Sequence, residues 1–204
     1  MAILGDRFND ALVYAATLHR DQKRKETAIP YVSHLLATAS IVLEHGGGED
    51  EAVAALLHDA AEDCGGRPEL ERIRGRFGDD VAAIVEGCSD TLQAEKPPWR
   101  ERKEKYIAHI PGASPSTRLV SAADKLHNAR AILADYRIFG DELWARFKPD
   151  SDQLWYYPAL VRAYRAAGDH QNLVGELARV VDELCALAGG PHADRESGGT
   201  DAKH

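Results

Sequence analysis

A histidine and three carboxylates, His58, Asp59, Glu62 and Asp63, follow directly on the apolar run Ala52 to Leu57. Residues four apart share a helix face, so a continuous helix stands His58 over Glu62 and Asp59 over Asp63. Ionisable groups are costly to bury unless they are paired or bound to a metal. An apolar helix that ends in His-Asp-x-x-Glu-Asp therefore points to a metal pair, His58 and Asp59, one turn before two carboxylates able to orient water. A hydrolytic metal site needs three or four protein ligands and an open position for water or substrate. His34, on the first turn of the preceding helix, offers a third ligand. Asp124 offers a fourth, an acid on an otherwise apolar helix with Asn128 one turn later on the same face. Two imidazoles and two carboxylates suit manganese, iron or zinc better than calcium, and the lack of thiolates argues against a structural zinc.

Helices must carry these residues, because helical signals dominate and no convincing alternating strand is found. A first helix is expected over about 6–20, and a second from Ser33, a good N-cap, to the glycine run Gly46-Gly47-Gly48. That turn makes the second helix and the motif helix, 49–63, an antiparallel hairpin with His34 and His58 at the same end. Gly65-Gly66 ends the motif helix, and Pro68 fits the first turn of a short helix that stops at Gly78. Further helices are expected at about 79–89, 99–110, 116–138 and 169–188. Two more fall in 141–167, divided around Lys148-Pro149-Asp150, with Pro158 kinking or restarting the local helix. The tail 189–204, rich in glycine and polar residues, reads as disordered. The expectation is an all-α single domain over 1–188.

Composition narrows the function. The hydrophobic share of 44% and charged share of 28% are those of a soluble globular chain. No apolar stretch reaches the length of a membrane span, and the N-terminal residues show no basic region followed by an apolar run and a cleavage site, so neither membrane spanning nor secretion is expected. Cys64, Cys88 and Cys185 are odd in number and widely spaced, which favours reduced thiols in a cytoplasm. A net charge of −8 argues against nucleic acid as a partner, although a small phosphorylated ligand needs only a local cationic patch. Nothing in the chain specifies an oligomeric state.

Taken in order, Lys23-Arg24-Lys25, Pro30-Tyr31-Val32-Ser33-His34, Leu56-Leu57-His58-Asp59-Ala60-Ala61-Glu62-Asp63 and Ala123-Asp124-Lys125-Leu126-His127-Asn128 resemble the HD-domain hydrolases. The resemblance is closest to the RelA/SpoT-type (p)ppGpp hydrolases in their short stand-alone form, and it runs from roughly Asp10 to Tyr164. It implies an HD-domain helical bundle and a manganese-dependent 3′-pyrophosphohydrolase that converts (p)ppGpp to GDP or GTP plus pyrophosphate. Carried over by residue, His34, His58, Asp59 and Asp124 bind the metal, while Glu62 and Asp63 position and deprotonate the attacking water. Arg24 and Lys25 form a cationic rim, Tyr31 packs beside the nucleoside and Asn128 orients substrate or a ligand. Departures fall at Leu35, at Ala131 and across 86–90, and touch nucleotide recognition rather than metal chemistry. They leave room for another nucleotide, such as NADPH or a deoxynucleotide. A non-catalytic nucleotide-binding HD module is the remaining alternative, but it has no need of Glu62 and Asp63.

Other polar and aromatic clusters are assigned from type and position alone. Lys96, Arg100, Arg102 and Lys103 form a second cationic run able to meet outer phosphates. Trp155-Tyr156-Tyr157 reads as core with a possible base-stacking edge. His127 reads as a packing residue, and His19, His45, His109 and His170 as surface or helix-end histidines.

Overall fold

Glycine runs and prolines divide the chain into helices close to where the sequence places them. The computed structural model describes residues 4–93 and 95–189. In chain order the helices are α1 (Asp6–Leu18), α2 (Val32–Glu44), α3 (Glu49–Leu57), α4 (Ala60–Cys64), α5 (Arg67–Phe77) and α6 (Asp79–Cys88). They continue as α7 (Trp99–His109), α8 (Pro115–Phe139), α9 (Gln153–Ala167) and α10 (Gln171–Ala188). Short 3₁₀ segments cover Ile110–Gly112 and Gly140–Arg146. Among the described residues there is no strand, only one isolated bridge between Lys23 and Pro30. The fold is an all-helical HD-domain bundle. None of its described helices is long and apolar enough to cross a membrane.

Helix α3 is apolar on every side and so must be covered on every side. Ala52 to Leu57 are fully buried, and α1, α2, α6 and α8 pack around them. The α2–α3 turn is tight because Gly47 lies against Val42, where an added Cβ would stand 2.5 Å from Val42 Cγ1. Three acids, Glu49, Asp50 and Glu51, open α3 where the helix dipole favours negative charge. Glu51 accepts the Gly48 N–H at 2.9 Å, and Arg7 from α1 clamps Glu49 and Asp50. One apolar core links Ala11 to Cys185. Leu56→Ala is expected to cost about 2–5 kcal/mol, read as a lower urea midpoint at unchanged slope.

Four local expectations are corrected. Ser33 is not the cap of α2, because the chain turns directly at Pro30 and the Ser33 N–H already bonds the Pro30 carbonyl at 3.1 Å. The motif helix does not run unbroken from 49 to 63, since a turn at His58 and Asp59 separates α3 from α4. There the His58 ring takes the Ala55 carbonyl at 2.8 Å, and Asp59 opens to ψ −9°. Pro158 neither ends nor restarts a helix: α9 continues through it, with Tyr157, Leu160 and Val161 buried on either side. The first element of 141–167 is 3₁₀ rather than α. The remaining boundaries fall within a few residues of expectation. The 190–204 part of the tail lies outside the described residues.

Candidate metal centre

The antiparallel α2–α3 hairpin brings His34, near the start of α2, beside His58 and Asp59 at the end of α3. Helix α8 crosses both and adds Asp124. The His34 Nε2 atom lies 3.2 Å from Asp124 Oδ1 and 3.6 Å from Asp59 Oδ2. The His58 Nε2 atom lies 3.0 Å from Asp59 Oδ2 and 3.7 Å from Asp124 Oδ1. One donor atom each from His34, His58 and Asp59 falls within 4.8 Å of the others.

Proton bookkeeping at His58 argues for a cation in the middle. A carbonyl only accepts, so Nδ1, bonded to Ala55 O, carries the proton and the neutral ring presents a bare Nε2. That Nε2 is buried and, unprotonated, has no donor to accept from, since it faces only the carboxylates of Asp59 and Asp124. A lone pair and two carboxylates converging on one point repel unless a cation sits between them. Burial disfavours a charge on His58, yet Asp59 and then Asp124 outweigh it and hold the ring well above its ordinary pKa. Burial likewise opposes charge on Asp59, but His58 keeps its carboxyl well below the usual range. The same holds for Asp124, where Lys125 is the strongest of the favourable partners. A divalent metal meets the demand that, in its absence, a proton meets.

Outer hydrogen bonds orient each donor, as metal sites require. The Tyr31 hydroxyl donates to Asp59 Oδ2 at 2.5 Å. Lys125 Nζ donates to Asp124 Oδ2 at 2.6 Å, and Asn128 Nδ2 donates to Asp124 Oδ1. The Nδ1 atoms of His34 and His127 are 2.7 Å apart. If His34 Nε2 is a ligand, its Nδ1 is the donor and His127 must accept as a neutral ring. Burial, followed by His34 and Arg24, pushes His127 down to about 4, which keeps it neutral. His127 is thus the hydrogen-bond partner of His34, a role the packing assignment missed. Tyr31→Phe is expected to weaken metal affinity by roughly 10–100-fold, measured by competition with a fluorescent chelator.

One cavity borders this cluster and a second lies next to it across Tyr31 and Asn128. The smaller, about 160 Å³, is walled by Tyr31, Asp59, Glu62, Asp63, Asp124 and Asn128, with Lys103 and Lys125 beside them. The larger, about 470 Å³, is lined by Arg24, Lys25, Tyr31, Asn128, Ala131, Phe147, Arg146 and Tyr157, among others. Tyr31 and Asn128 belong to both walls, and Arg24 donates to Asn128 Oδ1 at 2.9 Å. Of the ten residues singled out in the sequence, Arg24, Lys25, Tyr31, Asp59, Glu62, Asp63, Asp124 and Asn128 line one or both of these neighbouring cavities, and His34 and His58 stand against Asp59 and Asp124. A third hollow of about 350 Å³ lies across the 88–93 loop and shares only Asp90 with the smaller cavity.

The two acids after the metal pair differ in surroundings. Glu62 accepts the Asp90 N–H at 3.0 Å and Lys96 Nζ at 2.8 Å. Asp63 accepts Gln22 Nε2 at 2.8 Å. Its side chain is exposed by area while its carboxyl end faces the cavity. Desolvation and then the charge of Asp59 push that carboxyl above the usual range, with Gln22 acting the other way.

The second cationic run divides. Lys96 engages Glu62, and Lys103 reaches the smaller cavity while pairing with Asp90. Arg102 also pairs with Asp90, at 2.8 Å, and Arg100 sits 3.3 Å over the Trp155 ring. Tyr156 packs in the core against Trp99, and only Tyr157 of the aromatic trio lines the larger cavity. His19 is a helix-end histidine, as expected, closing α1 as its C-cap, but it is not at the surface. It is buried, 2% exposed, and stacks on Tyr31 with ring centroids 5.1 Å apart. Its short polar neighbourhood, Arg20 and Asp21, gave no sign of burial.

An all-helical bundle that joins two histidines and two aspartates from α2, the end of α3 and α8 defines a class, and known proteins of that class resemble this chain. The HD-domain pattern matches residues 11–145, and the chain belongs to the HD-domain family. Within that family it is homologous to guanosine-3′,5′-bis(diphosphate) 3′-pyrophosphohydrolases. The chain is 41% identical over 126 residues to the one named MESH1 in Xenopus tropicalis, covering 60% of this chain and 68% of that protein. With MESH1 of Drosophila melanogaster it shares 34% over 152 residues, covering 73% and 80%. A solved structure of a metazoan ortholog of SpoT, described as hydrolysing ppGpp and acting in starvation responses, superposes with a TM-score of 0.69. It is 26% identical and covers 88% of this chain and 97% of that one. His34, His58 and Asp59 thus form an HD-type site suited to a divalent metal.

Proposed function

We propose that the protein is a manganese-dependent hydrolase that removes the 3′-pyrophosphate of (p)ppGpp, giving GDP or GTP plus pyrophosphate. One observation carries the reading: the Glu62–Asp63 pair shares a cavity wall with Asp59 and Asp124 of the HD cluster, and Tyr31 and Asn128 of that wall also line a larger, cation-rimmed hollow. The names of the relatives support the choice of substrate. His34, His58, Asp59 and Asp124 would hold the metal, their mixed nitrogen and oxygen donors suiting manganese. When bound, the ion supplies Lewis acidity toward water and a phosphoryl oxygen.

The chain's own residues divide the remaining work. Asp63, with a raised carboxyl pKa and a face toward the cavity, takes the proton from the attacking water. The water oxygen then bonds to the phosphorus on the 3′-oxygen, the bond from that phosphorus to the 3′-oxygen breaks, and the proton taken by Asp63 passes to the leaving 3′-oxygen, directly or through solvent. Glu62, held by the Asp90 amide and Lys96, orients that water. Asn128 and Tyr31 line both cavities and would flank the ribose 3′ side. Arg24 and Lys25 border the larger cavity, where the guanine would stack.

The unit that does this is residues 1–188, supported by a core that continues through α9 and α10 beyond the matched pattern. A cytoplasmic setting accords with three free thiols. A second reading keeps the site and changes the nucleotide, favoured by Ala131, whose apolar side chain lines the larger cavity. Rates on ppGpp, NADPH and dGTP, measured side by side with manganese, separate the two. The alarmone reading expects ppGpp to be the fastest, and an equal or faster rate on NADPH or dGTP would displace it.

A further inference from the structure

His19 and Gln22 line none of the three cavities described above, yet they reach both halves of the site. The backbone of Gln22 is pinned on two sides: its N–H donates to His19 O at 3.1 Å, and its carbonyl accepts the Tyr31 N–H at 2.9 Å. Its side chain then spans from His19 Nδ1, 2.6 Å from Oε1, to Asp63 Oδ2, 2.8 Å from Nε2.

The orientation of this amide follows from chemistry. An ionised carboxylate only accepts, so the NH₂ end of Gln22 must face Asp63. The carbonyl end then faces His19, and His19 Nδ1 must carry a proton to donate to it. His19 is itself fixed by burial and by its stacking on Tyr31, whose hydroxyl holds the metal-site residue Asp59.

We propose that His19 and Gln22 are positioning residues that aim the Asp63 carboxylate at the attacking water. The inference rests on Asp63 being the base. A free aspartate at a cavity mouth samples several rotamers, and only some face the water. The Gln22 amide selects one of them, and the buried His19 ring keeps the amide from turning over. The same ring braces Tyr31, so base and metal-site carboxylate are referenced to one fixed group.

The test uses Gln22→Leu, His19→Leu, His19→Asn and the double leucine variant, each loaded with manganese. Gln22→Leu is expected to lower kcat by roughly 10–100-fold, the cost of a misplaced reacting group, with KM and metal content unchanged. His19→Asn keeps a donor near the Nδ1 position and should retain most activity, while His19→Leu should fall with Gln22→Leu. The double variant should be no worse than Gln22→Leu alone, since both act through one chain of contacts. In the metal-free protein, the Gln22 side-chain amide protons should exchange slowly in the wild type and His19→Asn, and quickly in His19→Leu.

Wild-type kcat in Gln22→Leu, losses confined to KM, or independent multiplication in the double variant would overturn the proposal. So would fast exchange of the Gln22 amide in the wild type. Gln22 is partly exposed, so its variant carries the test if His19→Leu does not fold. A wild-type protein inactive on every nucleotide would instead count against the hydrolase reading, and the amide exchange would still report on the positioning contacts.

Discussion

Asp63→Asn is expected to lower kcat by about 10²–10⁴-fold, the usual contribution of a positioned general base, without loss of metal or thermal stability. The substitution keeps the shape of the side chain and an oxygen for Gln22 Nε2 to reach, but removes the basic site. The histidine–carboxylate pairs of the cluster run from His34 and His58 to Asp59 and Asp124, and Asp63 is in none of them. The loss should therefore appear in turnover, with bound metal near its wild-type content. Because desolvation and Asp59 raise the Asp63 carboxyl, the base is lost as pH falls through a value higher than an aspartate's ordinary one. The acidic limb of the wild-type rate profile should lie there and be absent from the residual activity of the variant. Near-normal turnover in Asp63→Asn would reassign the base, with Glu62 the next residue to examine.

Asp124→Ala is expected to remove metal binding and also to destabilise the fold by about 3–5 kcal/mol, the cost of stranding one member of a buried ion pair. Lys125 Nζ lies 2.6 Å from Asp124 Oδ2, among the buried rings of Tyr106 and Tyr156. Burial works against its charge, and Asp124 is the first group that sustains it. Without the carboxylate the ammonium has lost its counter-ion, Asn128 has lost its acceptor, and His34 has lost its nearest oxygen. Two measurements follow: metal content by atomic spectroscopy and a denaturant midpoint on metal-free protein. A variant with full metal content and an unchanged midpoint would show that Asp124 is neither a ligand nor the partner of Lys125.

Much of this site was legible because ionisable residues stand out in apolar helices. His58, Asp59 and Asp124 each interrupt a run that otherwise has every reason to be buried, and the glycine run 46–48 forces the hairpin that adds His34. Helix ends were legible for the same local reason, with glycines at 65, 66 and 78 and Pro68 at the start of α5. What stayed hidden depends on contacts between distant segments. The break at His58–Asp59 arises from a side chain taking a backbone carbonyl, while both residues keep near-helical torsions and the pattern continues into Ala60-Ala61. Pro158 costs one helical hydrogen bond, and the buried side chains around it hold α9 in place. His19 and Gln22 sit in a polar stretch that reads as loop, and only the return of the chain at Tyr31 and Asp63 gives them partners.

The most direct test of the account is to incubate the purified protein with ppGpp, with and without manganese, and to separate the nucleotides by anion exchange. Release of GDP and pyrophosphate only when metal is present, and its loss on chelation, is the predicted result. Unchanged ppGpp from folded, manganese-loaded protein would contradict it.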